Sequence, residues 1–340
     1  CKRNEKYSPC FRYRKVRIHT SDIKNTLSSI KLPRGGVGSL LRDIRTSLKR
    51  HVDLIDAVGT TRMNSVSKIM FGEPESHHFE LAGKFIKQGK PEKKRKGKKG
   101  AEELKACLET YLKKSGLPDW TILIDKAMAA RVSVNGARKQ LRIRKDAQFY
   151  IKDFRKLEAH EIDVHAVRSF NGSCQPLRVF STGLPGYGRT EEGLSMITEK
   201  VYGLAGKDSE YHTALYLVLL KAAEEGTFYD VFSRAKELLE GDVERAFNFT
   251  LRVRRGLKRQ DKPGGFWKDH IYFCGLWDLV KFLETGGNVE DLYVGKIGIQ
   301  HLGAIQLLKE QGVITPPRIL PKRILNLKEN YFKKEKTWQI

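Results

Sequence analysis

The sequence contains no run of the eighteen or more apolar residues that a membrane-spanning helix needs. Its longest apolar stretch, Thr213 to Leu220, stops at Lys221. Cysteine is sparse as well. Cys1, Cys10, Cys107, Cys174 and Cys274 are an odd number, widely scattered, and form no Cys-x-x-Cys pair. That pattern argues against a disulfide framework or a thiolate metal cage and fits a reducing, cytoplasmic compartment. No helix-turn-helix, zinc-finger or RNA-recognition signature is present, and the basic segments lack the interleaved aromatics that stack on bases. The first residue is Cys1 rather than Met, which leaves open a targeting segment upstream.

What is present is apolar substance and positive charge. With 340 residues and 40% apolar side chains, the chain can bury one large core or two modest ones. Sixty-four Lys and Arg against forty Asp and Glu give a net charge of +24, enough to attract nucleic acid, anionic lipid or acidic polypeptides. Much of it is local. Residues 1–50 hold fourteen Lys and Arg and three Asp and Glu, and Lys90 to Lys99 hold seven basic residues and one acid. A nucleic-acid-binding protein without catalytic activity would account for these charges, but not for the histidine cluster described below.

Residues 1–35 show little periodicity and read as a basic arm ending at Pro33-Arg-Gly-Gly36. Apolar residues from Leu40 to Ile69 recur at helical spacing, which predicts one or two amphipathic helices. Residues 88–100 form a solvated basic loop, and Ala101 to Ser115 a helix stopped by Gly116 and Pro118. Period-two alternation over Trp120–Asp125, Ala130–Val134 and Gln140–Arg144 predicts a β-hairpin or small sheet turning at Asn135-Gly136. Helical spacing resumes over Ile151 to Phe170 and again from Thr190. Pro316, Pro317 and Pro321 close the main domain, 36–321, and leave a basic tail at 322–340.

The segment Leu157-Glu-Ala-His-Glu-Ile-Asp-Val-His-Ala-Val-Arg168 puts two imidazoles and a carboxylate within six residues. Zinc takes neutral nitrogen ligands, and hydrolysis needs a base beside the activated water. The common His-Glu-x-x-His motif spaces its histidines four apart, about 40° around an α-helix; five apart, as in His160 and His165, is about 140°. A π-bulge can absorb the extra residue, and such bulges occur often at functional sites. A third ligand could come from Glu191 or Glu192, in Thr190-Glu-Glu-Gly-Leu194; the competing reading, that Thr190 is an N-cap whose following carboxylates favour the helix dipole, is compatible with it.

These pieces resemble one family. His160-Glu-Ile-Asp-Val-His165, Arg168, Asn171-Gly172, Gln175-Pro176, Gly183-Leu-Pro-Gly-Tyr187, Thr190-Glu-Glu-Gly-Leu194, Gly265-Phe-Trp-Lys-Asp269 and Tyr272 are similar to the microtubule-associated tyrosine carboxypeptidases. The bacterial relatives of that family are known as QEGLA-motif or flavohemoglobin-expression-modulating proteins. The resemblance covers roughly residues 35–321. The family's signature is His-Glu-x-x-x-His, so the five-residue spacing favours membership.

The resemblance implies an α+β fold, mainly helical and zincin-like, with a small antiparallel sheet before the active-site helix. It implies one zinc ion per chain held by His160, His165 and Glu192, with Glu161 as the catalytic carboxylate. A carboxypeptidase must also hold a terminal carboxylate, for which Arg252, Arg255 and Lys268 are the candidates. Tyr272 is the candidate oxyanion donor. Gln140–Arg144 is the strand expected to pair with an extended peptide. The implied partner is an acidic C-terminal tail like that of tubulin, trimmed of a terminal tyrosine, with nucleic acid secondary. Trp267 stands where the family usually has Thr, which bears on the shape of the neighbouring pocket.

Overall fold

The computed structural model describes residues 8–14, 17–89 and 97–334. The basic loop expected at 88–100 therefore lies largely outside the described residues, as do the first seven residues of the arm and 335–340 of the tail. Among the described residues, helices dominate and strands are few and short. No helix among them is long and apolar enough to cross a membrane. The chain divides into two compact units, each made of two separated segments: 1–91 with 208–274, and 92–207 with 275–340.

The first unit is helical. Its first segment carries Thr20–Ser29, Gly35–Ala57, Met63–Phe71 and Ser76–Lys87. The helix inside the expected arm buries none of its residues, in keeping with its weak apolar pattern. Its second segment supplies Phe228–Leu238 and Val243–Arg254 and a core of Leu215, Leu219, Phe228, Phe232 and Trp267. Trp267 is wholly interior: its indole donates to Asn64 (3.0 Å) and Lys68 lies 4.3 Å over its ring.

The second unit holds two small sheets. β1 (Lys98–Lys99) pairs antiparallel with β5 (Phe149–Tyr150). β2 (Thr121–Asp125), β3 (Val132–Asn135) and β4 (Gln140–Arg144) form a sheet in the order β2-β4-β3. The antiparallel expectation is corrected here. β3 pairs antiparallel with β4, as the Asn135-Gly136 turn predicts, but β2 runs parallel to β4. The hairpin itself acts as the crossover. β4 takes the centre because its alternating Leu141 and Ile143 are fully buried. It is paired on both sides and so has no free edge for a peptide, which overturns the expectation for Gln140–Arg144.

Helical spacing over Ile151 to Phe170 becomes three consecutive segments: an α-helix (Ile151–Leu157), a π-helix (Glu158–Ala166) and a second α-helix (Val167–Ser173). The next long helix begins at Tyr187 and runs to Val201. Thr190 is thus inside a helix and not its cap. Gly186, in the left-handed conformation at φ 75°, makes the turn instead, and the Thr190 hydroxyl accepts from the Ile299 amide at 3.0 Å. Two matched motif residues hold the closing segment. The Asn171 amide exchanges hydrogen bonds with Ile319 (2.8 and 3.0 Å), and Gln175 does the same with Thr315 (2.9 and 3.0 Å). Residues 322–334, expected as the start of a tail, form two short helices that bury Ile324, Leu327 and Tyr331.

Candidate metal centre

The π-helix is the element that brings the two histidines together. Bonding from i to i+5 widens each turn, so residues five apart return to nearly the same face. The His160 and His165 rings accordingly lie 4.9 Å apart between centroids. Ala159, Ile162, Val164 and Ala166 are fully buried around them, so packing on several sides supports the winding.

The helix Tyr187–Val201 faces this pair and is buried along most of its length. Its approach to the neighbouring helix depends on glycine: a Cβ on Gly193 would stand 2.1 Å from the Gly275 carbonyl oxygen, and one on Gly275 would stand 2.0 Å from that of Arg189. The helix brings three carboxylates. Glu192 Oε2 lies 3.5 Å from His160 Nε2 and 3.9 Å from His165 Nε2. His160, His165 and Glu192 each offer one donor atom, and the three atoms lie within 4.8 Å of one another. That set can hold a divalent cation. It is the only such group of three among the described residues.

The other nitrogen of each ring is already engaged. Glu199 Oε1 lies 2.7 Å from His160 Nδ1, and Glu191 Oε1 lies 2.7 Å from His165 Nδ1. Both carboxylates are almost wholly buried and are held by cations in turn. Lys156 stands 3.0 Å from Glu199, while Lys296 (3.1 Å) and the buried Arg168 (3.5 Å) flank Glu191. A carboxylate on Nδ1 fixes the tautomer that leaves Nε2 free to bind, and makes the ring a better ligand.

Electrostatics follow from this packing. Burial is the largest influence on His160 and disfavours its charged form. The carboxylates of Glu192, 3.5 Å from Nε2, and Glu199, hydrogen-bonded to Nδ1, outweigh it and hold the pKa well above the usual imidazole value. Burial would push Glu191 up, but the charge of Lys296, with His165 and Arg168, holds it far below the usual carboxylate range. Glu192 and Glu199 are also held low, by the His160 ring in the first case and by Lys156 with His160 in the second, each against the opposing effect of burial. Glu161 is buried beside this group, close enough for its charge to act on His160.

The four remaining predicted residues belong to the other compact unit. Arg252 forks onto Asp269 (3.1 and 3.0 Å) and Arg255 reaches the same carboxylate at 2.7 Å. Their guanidinium groups lie over the Tyr216 and Phe266 rings. Lys268 is exposed, and Tyr272 lies near enough to Arg252 for the two to interact electrostatically. Trp267, expected to bear on the shape of a neighbouring pocket, is a core residue of this unit.

Sequence reasoning left Glu199, Lys156 and Lys296 without a role and weighed Glu191 only as a possible metal ligand or as a carboxylate favouring the helix dipole. One signal was available for Glu199: a carboxylate two helical turns after Glu192, in an otherwise uncharged stretch, falls on the same face.

The family model described as "Microtubule-associated tyrosine carboxypeptidase" matches residues 1–337. Among curated proteins, the chain is 24% identical over 165 residues to microtubule-associated tyrosine carboxypeptidase 1 of Rattus norvegicus, covering 47% of this chain and 34% of that protein. The Mus musculus protein of the same name is 24% identical over 164 residues, with the same two shares. The matched region is thus about a third of the length of these relatives. On the match of nearly its whole length, the chain belongs to the microtubule-associated tyrosine carboxypeptidase family.

Proposed function

We propose that this member of the microtubule-associated tyrosine carboxypeptidase family is a zinc-dependent carboxypeptidase. It takes one zinc per chain and removes the last residue of acidic polypeptide tails, a tyrosine from a tubulin-like tail in keeping with the family's name. One observation carries the reading: the free Nε2 atoms of His160 and His165 converge on one Glu192 oxygen, while both Nδ1 atoms are held by buried carboxylates.

The donor set fits zinc. Two imidazole nitrogens and a carboxylate oxygen are the three protein ligands of many hydrolytic zinc sites, which leave a fourth position open. Glu192 Oε2 is buried and makes no hydrogen bond among the described residues; its spacings of 3.5 and 3.9 Å to the two Nε2 atoms leave a gap that a bound cation would bridge. Bound zinc supplies Lewis acidity, which makes water a nucleophile near neutral pH and polarises a carbonyl.

The rest of the chemistry falls to the chain. Glu161 accepts a proton from the attacking water as the water oxygen bonds to the scissile carbonyl carbon. It then delivers that proton to the amine nitrogen as the C–N bond breaks. Glu199 and Glu191 keep the two rings in the binding tautomer. An extended peptide would pair with β3, the edge strand that packs against the π-helix. Arg252 and Arg255 share one carboxylate and so retain a surplus positive charge, which with Lys268 suits an acidic tail and its terminal carboxylate. Tyr272 remains the proposed oxyanion donor.

Metal analysis of the purified full chain tests this reading. About one zinc per chain is expected, lost in the His160→Ala/His165→Ala variant with the fold retained. A folded parent protein that takes up no zinc would overturn it.

A further inference from the structure

The π-helix has a second pair of side chains five residues apart, Glu158 and Asp163, on a different face from the histidines. Both meet one guanidinium. Arg323 Nη1 donates to Asp163 Oδ2 at 2.7 Å, and Nη2 donates to Glu158 Oε2 at 3.3 Å. Tyr111 completes the cluster: its hydroxyl accepts from Arg323 at 2.7 Å and donates to Asp163 Oδ1 at 2.9 Å. The Tyr293 hydroxyl donates to the backbone carbonyl of Asp163 at 3.0 Å. Asp163 is almost wholly buried, so its charge depends on these partners.

This arrangement discriminates between windings. On an α-helix, residues five apart point about 140° away from each other, too far for one planar fork to reach both carboxylates. On a π-helix they share a face. Arg323 can therefore satisfy Glu158 and Asp163 together only in the winding that also brings His160 and His165 together. A nine-residue π segment is unusual, since most π structure is a single bulged turn. Something outside the segment must favour it over the α alternative.

We propose that Arg323 is a positioning residue that locks the π register of the helix carrying His160, Glu161 and His165. The short helix after Pro321 is then a working part of the site rather than the start of a tail. The consequence for metal binding rests on the zinc reading above; the consequence for helix winding does not.

The test uses the full chain and three variants. Arg323→Met keeps the apolar stem and removes the fork. Arg323→Lys keeps the charge but cannot grip two carboxylates in a plane. Tyr202→Phe removes the 2.8 Å hydrogen bond from the Tyr202 hydroxyl to the Arg323 backbone carbonyl and leaves the fork in place. Zinc affinity is read by chelator competition, site geometry by the visible spectrum of the cobalt(II) form, and helix register by crystal structures without metal.

The expected result is a 10- to 100-fold loss of zinc affinity in Arg323→Met, on the scale of removing a group that orients a ligand. An altered cobalt spectrum and α winding over 158–166 should accompany it. Arg323→Lys should fall between that variant and the parent, and supplies the result if Arg323→Met does not fold. Tyr202→Phe should stay within about threefold of the parent. Parent-like affinity and spectrum in folded Arg323 variants would overturn the proposal, as would an equal loss in Tyr202→Phe. If the parent binds no zinc, the metal reading fails and the crystal register alone decides: α winding in Arg323→Met supports the lock, and a retained π-helix refutes it.

Discussion

Glu199 Oε1 lies 2.7 Å from His160 Nδ1, and Lys156 stands 3.0 Å from the other oxygen of the same carboxylate. The bond fixes which nitrogen of His160 is free. Replacing Glu199 by Gln keeps the size but allows the amide to present either an oxygen or an NH₂ group to the ring. It also leaves Lys156 without its buried counter-charge. Zinc affinity should fall about 10- to 100-fold, read by chelator competition, with little change in far-ultraviolet circular dichroism. Unchanged affinity would show that the tautomer is fixed by other means.

Gly193 directly follows Glu192 and packs on the backbone of Gly275 in the helix His270–Glu284. A Gly193→Ala methyl would overlap that carbonyl, so the helices must separate. The expected cost is about 1–3 kcal/mol of stability, read by denaturant unfolding. Zinc binding should weaken too, because Glu192 moves with its helix. Parent-like stability would mean that the helices are not as close as described.

Asp269 gives a pH dependence. Burial would raise its pKa, but Arg255 and Arg252 outweigh this and hold it below the ordinary aspartate value. A depressed carboxyl pKa contributes stability above the unfolded value, near 3.9, and loses that contribution as pH falls through the lower folded value. Asp269→Asn should therefore be less stable than the parent at pH 7, by on the order of 1–3 kcal/mol. The difference should shrink as the pH falls below about 4. Thermal unfolding of both proteins from pH 3 to 7 checks this; a gap that stays constant with pH would contradict it.

Much of the site was legible because its residues are close in sequence. His160, Glu161 and His165 stand within six positions, and their spacing was itself informative, since it disagreed with an α-helix and called for a π turn. The groups that support them were not legible, because Lys296 lies more than a hundred residues downstream and Lys156 looks like any surface lysine until the helices pack. Arg323 was hidden by its setting, a basic stretch just past three prolines. Ile324, Leu327 and Tyr331 did carry helical spacing there, and they are buried. Thr190 misled because it is a favoured cap residue, while the left-handed Gly186 had already started the helix. The sheet failed on topology alone: alternation identified its strands but carries no information on whether β2 and β4 run parallel.

The most direct measurement is mass spectrometry of an acidic peptide with a C-terminal tyrosine, incubated with the zinc-loaded parent and with Glu161→Gln. The account predicts that the parent releases the terminal tyrosine. It predicts that Glu161→Gln binds zinc as the parent does, yet releases at least 100-fold less, the scale of losing a general base. Release by Glu161→Gln at the parent rate, or no C-terminal residue released by the zinc-loaded parent from any acidic peptide, would contradict it.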